Sequence, residues 1–396
     1  MDFPFRDRRE MHDMPDRPSL IQDLESAIST GTPEKRLQAL IRITDLFLAG
    51  SGLHSQEQEE LFDELFLRLV ETIETQARAE LSRRLASACK TPPRILRSLA
   101  FDDAIAVAAP MLSGSAQLTD EDLIESAKSK SQDHLQAITR RATLSEPVTD
   151  VLIERGNDRV VRLVVKNAGA RISDGGFGKI VGKAANDESL ARFVGARRDI
   201  PRHHFLKLLE SASAAARDRL IAGNPELAAQ VRMAVTEVAS EISGDVRNAS
   251  PAHARAKARV KRLYRTGQFC EADLHAFARA KDFEQTALAL AALGEFPIDL
   301  VERALVDQTF DTILILVKAA RCCRATVRAV LLLRGMSAMD LESALMQFER
   351  LQVSTARQTL EFYHLRRRQE DGRAPNQLVS YAESARARGL ALAETG

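Results

Sequence analysis

Between residues 34 and 48, Leu37, Leu40, Ile41, Ile43, Leu46 and Phe47 recur at three- and four-residue steps, which predicts one apolar face of a helix. Pro33 stands just ahead of the run, where a first helical turn tolerates its missing N–H. Residues 56–80 keep the rhythm through Leu61, Phe62, Leu65, Phe66, Leu69 and Val70, while Glu64–Arg68 and Glu74–Arg78 are spaced to pair on the solvated side. An earlier, shorter helix is expected from Ser19, which can cap the segment after it.

From residue 81 to about 240 the helices become short and their starts recur. Pro93, Pro147 and Pro201, 54 residues apart, each open an apolar run. Asp102 or Asp103, and then Asn157 or Asp158, cap the second helix of a unit. Third helices are expected near Thr119 and Ser173. Adjacent arginines keep nearly the same step: Arg83-Arg84, Arg140-Arg141 and Arg197-Arg198 follow one another at 57 residues. Fixed-period self-similarity is the mark of a repeat array.

Farther on, residues 281–308 superimpose on the following stretch at an offset of 27, half of 54. Phe283 then matches Phe310, Ala287 matches Leu314, Leu300 matches Val327 and Ala304 matches Leu331. A degenerate third copy fits at an offset of 31. Two-helix units that cannot bury their apolar faces alone must stack. The predicted fold class is therefore all-α: an α-solenoid of short, HEAT-like helical hairpins, in one or two stacked arrays. The expected layout is a disordered leader (1–18), an N-terminal array (19–242), a linker and basic helix (243–267), a C-terminal array (268–368) and a weakly ordered tail (369–396).

Composition supports helix on helix. Hydrophobic residues make up 45%, but aromatics only 5%, with no Trp and 3 Tyr. With 56 basic against 55 acidic side chains, net charge gives no reason to expect nucleic acid or an anionic membrane. The four cysteines form no CxxC, the N-terminus lacks a signal-peptide core and no apolar run reaches membrane length, so a cytoplasmic protein without a membrane span is expected.

Motifs that carry chemistry are few. Residues 173–179 (SDGGFGK) fail the phosphate-loop spacing, since Ile180 stands where Ser or Thr is needed, and read as a Gly-rich turn. His203-His204 diverge on a helix, with no second ligand pair nearby in sequence. Cys322-Cys323 falls at a helix junction, and Glu121, Asp122 and Glu125 suit a helix start. No nucleophile–base arrangement emerges, so no catalytic residue, metal or cofactor is assigned. The basic stretch 253–265 spreads its charge around a helix and has few aromatics to stack bases. Arg83, Arg84, Arg140, Arg141, Arg197 and Arg198, with His203 and His204, are the candidate groove. The arginines also suit a structural ladder, for which Asp102, Asp158 and Asp199 are available partners.

The runs PPRILRSLAFDDAIAVAAPML, LTDEDLI, ITRRATLSEPVTDVLIERG and ARRDIPRHHFLKLL, with CEADLHAFARAKDFEQTALALAALGEFPIDLVERAL downstream, resemble the bacterial domain of unknown function 2336 family over roughly 35–368. The resemblance implies a helical-repeat protein, similar to HEAT and leucine-rich-variant arrays, without an assigned reaction. The expected function is that of a non-catalytic scaffold or adaptor in bacterial signalling, gripping a protein partner in a solenoid groove. The alternatives are a sensor of a phosphorylated small ligand such as a cyclic dinucleotide, or a helical-repeat binder of nucleic acid.

Overall fold

A computed structural model describes residues 32–50, 54–88, 90–223, 225–307 and 309–371. The expected leader, the helix expected from Ser19, Cys89 and residues 372–396 of the expected tail lie outside them. The described residues form 21 α-helices and no strand; Leu144 and Ala170 make one isolated bridge. The fold is all-α. The backbone divides into two compact units, residues 1–176 and 177–396.

The first unit holds α1 (Pro33–Ala49), α2 (Gln56–Thr72), α3 (Thr75–Ala86), α4 (Pro93–Ala100), α5 (Ile105–Gly114), α6 (Asp120–Ser129), α7 (Gln132–Ile138), α8 (Glu146–Arg155) and α9 (Asp158–Lys166). Helix starts follow the local chemistry. Thr119 forms a capping box with Asp122, Asn157 accepts from the Val160 N–H, and Pro93 and Pro147 sit in first turns. Alternate helices form two layers: α1, α3, α5, α7 and α9 pack in succession, and behind them α2 packs on α4 and α6 on α8. Leu85, Ile95, Leu99, Val107, Met111, Ile138, Leu152 and Val161 are buried between the layers.

Tertiary contacts complete what local sequence leaves open. Pro92 has no side-chain acceptor to cap α4, and Asp63 of α2 supplies one: its buried carboxylate accepts from the N–H groups of Arg94 (3.1 Å) and Ile95 (2.8 Å). Last-turn carbonyls are met by side chains farther along the chain. Arg141 donates to Leu112 and Ser115, Arg155 to Ala127 and Lys128, and Asn167 to Thr139 and Arg141, all 26 to 29 residues back.

Helix α10 (Asp174–Ala184) spans the division between the units. The helix expected near Ser173 forms and takes in the Gly-rich segment read as a turn, because Ser173 accepts from the Gly176 N–H (2.9 Å) and opens the helix. Gly176 packs closely: a Cβ there would lie 2.9 Å from a side-chain oxygen of Asp150, which would have to shift.

The second unit continues with α11 (Glu188–Gly195), then α12 (Arg202–Gly223) and α13 (Ala228–Ala249), which pack together across a 3-10 turn at Pro225–Leu227. The start of the stretch expected as a linker, 243–249, is helical, and Ser250 caps α14 (Pro251–Arg265) directly after α13 ends. There follow α15 (Glu271–Arg279), α16 (Phe283–Gly294), α17 (Ile298–Val306), α18 (Asp311–Ala319), α19 (Arg324–Leu333), α20 (Ala338–Arg350) and α21 (Val353–Asp371). Helices α14, α16 and α18 pack in succession, α17 lies on α12, and α19 packs on α15. One apolar core gathers Leu274, Ala287, Leu290, Val301, Ile313, Val317, Val330 and Leu345. Glu271 of α15 caps the neighbouring α19, accepting from the Cys323 N–H at 2.7 Å. Burial alone would raise the Glu271 carboxyl, but hydrogen bonds from Thr326 and Cys323 hold it below its ordinary value.

Candidate functional site

The three arginine pairs divide into members that hold the fold and members that face solvent. Arg84 bridges Glu80 (2.9 Å) and Asp45 (2.7 Å), tying α3 to α1, while Arg83 reaches only Glu80 in its own helix. The hydrogen bond from Arg84 is the main reason the Glu80 carboxyl lies below its ordinary value. Arg141 fills two carbonyls of the α5 C-terminus at 2.9 Å each, and burial pulls its guanidinium below the usual range without removing its charge. Its neighbour Arg140 is exposed. In the second unit, Arg197 makes a forked pair with Asp199 (2.6 and 2.8 Å), and Arg198 is exposed. Of the acids expected to complete a ladder, Asp102 pairs instead with Arg78 at 2.9 Å, and Asp158 occupies the first position of α9. Backbone carbonyls do much of the work expected of carboxylates.

Two clefts flank these residues in the first unit. One of about 200 Å³ lies on the α5–α7–α9 layer, lined by Ile105, Ala109, Asp133, Gln136, Ala137, Arg140 and Arg159. Arg140 and Arg159 are both exposed there. The other, about 350 Å³, is lined by Asp120, Leu123, Arg141, Thr143, Leu144, Ser145, Gly169 and Arg171. The Ser145 hydroxyl is buried without a hydrogen-bond partner among the described residues.

His203 and His204 pack on aromatic rings. Their own centroids are 4.0 Å apart, His204 stacks on Phe177 at 6.0 Å, and His203 lies against Phe283 at 5.6 Å. Nearby, the second unit assembles a cluster that sequence reading missed. Glu302 of α17 is 1% exposed and receives Arg202 of α12 (2.8 Å) and Arg247 of α13 (3.2 Å). Arg247 also pairs with Asp299, Arg202 donates to Ser243 (2.7 Å), and His253 pairs with Glu284 (3.0 Å). Ligand atoms of His253, Glu284 and Glu302 lie within 4.8 Å of one another, a spacing that a metal ion could bridge. The two guanidinium groups on Glu302 oppose an added cation, so the cluster suits a buried ion network. Its one legible sign was Glu302 itself, a carboxylate inside the apolar run from Leu300 to Val306.

Other flagged groups have structural roles. Asp122 and Glu125 pair with Arg97 at the start of α6, and Cys322 is buried beside exposed Cys323. Helix α14 buries His253, Ala256 and Val260 and leaves Arg255, Lys257, Arg259, Lys261, Arg262 and Arg265 exposed. Among the described residues, no helix is long and apolar enough to cross a membrane.

No curated protein and no solved structure matches the chain. The family described as uncharacterised protein conserved in bacteria, domain of unknown function 2336, matches residues 107–361. That match takes in the second half of the two-layered unit and nearly all the described part of the other, and with it the chain belongs to this bacterial family.

Proposed function

We propose that the protein is a non-catalytic interaction module of bacterial signalling, working in the cytoplasm, whose first unit is an α-solenoid that grips an acidic segment of a protein partner. The observation that carries the reading is Arg140 beside Arg159 at the cleft on the α5–α7–α9 layer, exposed while the adjacent Arg141 is engaged in holding the helices. Exposed guanidinium groups on a rigid layer offer forked donors to carboxylates, and the apolar floor of Ile105 and Ala109 supplies desolvated contact. Affinity capture from a native bacterial lysate with the wild type and with Arg140→Ala/Arg159→Ala tests it. A defined partner lost by the variant, at unchanged melting temperature, supports the reading; identical capture by both removes it.

A second reading, a sensor of a phosphorylated small ligand, is favoured by the 350 Å³ cleft, where Arg141 and Arg171 stand near the unpartnered Ser145 hydroxyl. Native-state binding raises the melting temperature, so a thermal-shift screen with nucleotides and cyclic dinucleotides against wild type and Arg171→Ala separates it from the first.

A further inference from the structure

The helical hairpin of α12 and α13 is long but has almost no core of its own. Buried residues of α12 are confined to its first two turns (Arg202, His204, Phe205, Leu206, Leu208), and α13 buries only Ser243. From 209 to 242 no described residue is buried. Helices in water draw most of their stability from packing an apolar face, so 22-residue helices with so little buried need a further surface.

The sequence places that surface on one side. Ser213, Arg217 and Ile221 of α12, and Val235, Ala239 and Ser243 of α13, are among the half-buried or buried positions, and their four-residue steps mark the seam between the two helices. One residue before each of these come Ala212, Ala216 and Leu220 on α12, and Ala234, Val238 and Ile242 on α13, all exposed. In an antiparallel pair, positions one step before the inward seam lie on the same side of both helices, because each helix is reversed and also turned to face the other. The hairpin therefore carries one continuous apolar face, with Leu220 49%, Val238 53% and Ile242 41% exposed.

We propose that this face is the interface with a second copy of the chain, two hairpins forming a four-helix bundle about a two-fold axis along the hairpin. Such an axis sets α12 of one copy against α13 of the other, twice. The furrow over Ala212 and Ala216 then receives the ridge of Val238 and Ile242, a match of small against branched that one face provides to itself. The part of the hairpin with no buried residue, 209–242, extends about 22 Å at ~1.5 Å per residue, and two helices side by side are about 20 Å wide. Each copy would cover roughly 450 Å², about 900 Å² in all, the size of a weak, concentration-dependent dimer. Asp218, Arg219, Arg232, Glu237 and Glu241 are exposed on the same helices, and their mixed signs raise no like-charge barrier between copies.

Sedimentation velocity on the full chain from about 1 to 100 μM tests the proposal, with Val238→Glu/Ile242→Glu and Ala216→Arg as variants. Arginine is a good helix former, so Ala216→Arg fills the furrow without weakening the helix. The wild type should sediment at twice its 43.7 kDa chain mass, and both variants should weaken dimerisation at least tenfold at unchanged helical circular dichroism. A monomeric wild type at the top concentration would overturn the proposal and leave the face for a different protein or a lipid surface. A dimer undisturbed by Ala216→Arg would overturn it as well.

Discussion

Arg202 and Glu302 stand 100 residues apart in the chain and meet in a buried pair at 2.8 Å, their side chains 4% and 1% exposed. The contact joins the first turn of α12 to the middle of α17, where the second unit closes its core. Arg247 shares the same carboxylate and carries Asp299 with it, so the pair belongs to a four-residue network.

Removing one partner of such a pair strands a desolvated charge. Glu302→Ala should destabilise the second unit by about 3–5 kcal/mol in urea unfolding, far more than an exposed Glu→Ala change. Arg202→Met/Glu302→Leu together should cost less than the sum of the single changes, and a double-mutant cycle reads the difference.

Arg140 and Arg141 should separate stability from recognition. Arg141→Ala leaves the Leu112 and Ser115 carbonyls without their donor and should lower stability by about 1–3 kcal/mol. Arg140→Ala should stay within about 0.5 kcal/mol of wild type. Thermal and urea unfolding of the two variants side by side check this.

The adjacent cysteines should differ in reactivity. Burial pushes the Cys322 thiol up to about 12, whereas Cys323 and Cys270 are exposed. At pH 8 only about one Cys322 thiol in ten thousand is the nucleophilic thiolate. Iodoacetamide followed by peptide mass spectrometry should label Cys323 and Cys270 on the native protein, and Cys322 only after unfolding.

Glu271 should make stability fall in acid. Its folded carboxyl lies below the ordinary 4.5, so its contribution is present above that value and is lost as pH falls through the lowered one. The melting-temperature gap between wild type and Glu271→Gln should be constant near neutrality and shrink as pH drops below about 4.5. A gap that widens in acid would contradict the cap on α19.

Much of the secondary structure was legible locally. Thr119 and Asn157 carry their capping chemistry within a turn of the helices they open, Pro93 fits a first turn, and the apolar steps from Leu37 to Phe47 need no partner to be read. The stretch from Ser173 drew two readings, a helix start at Ser173 and a Gly-rich turn over 173–179; the helix is what forms, opened by the Ser173 cap despite the low helix propensity of three glycines. The candidate groove was legible as residue types and not as roles, since nothing in an Arg-Arg dipeptide says which member will find a carbonyl.

By itself the sequence determined that this is an all-α chain and where many of its helices begin, because caps, proline and apolar spacing act over one or two turns. Only the tertiary structure decided that Arg141 ties helices while Arg140 faces water, that Asp63 and Glu271 cap helices other than their own, and that Glu302 gathers Arg202 and Arg247. These are contacts across 26 to 100 residues, and their partners are chosen by which helix faces meet in space, a choice that no local pattern records.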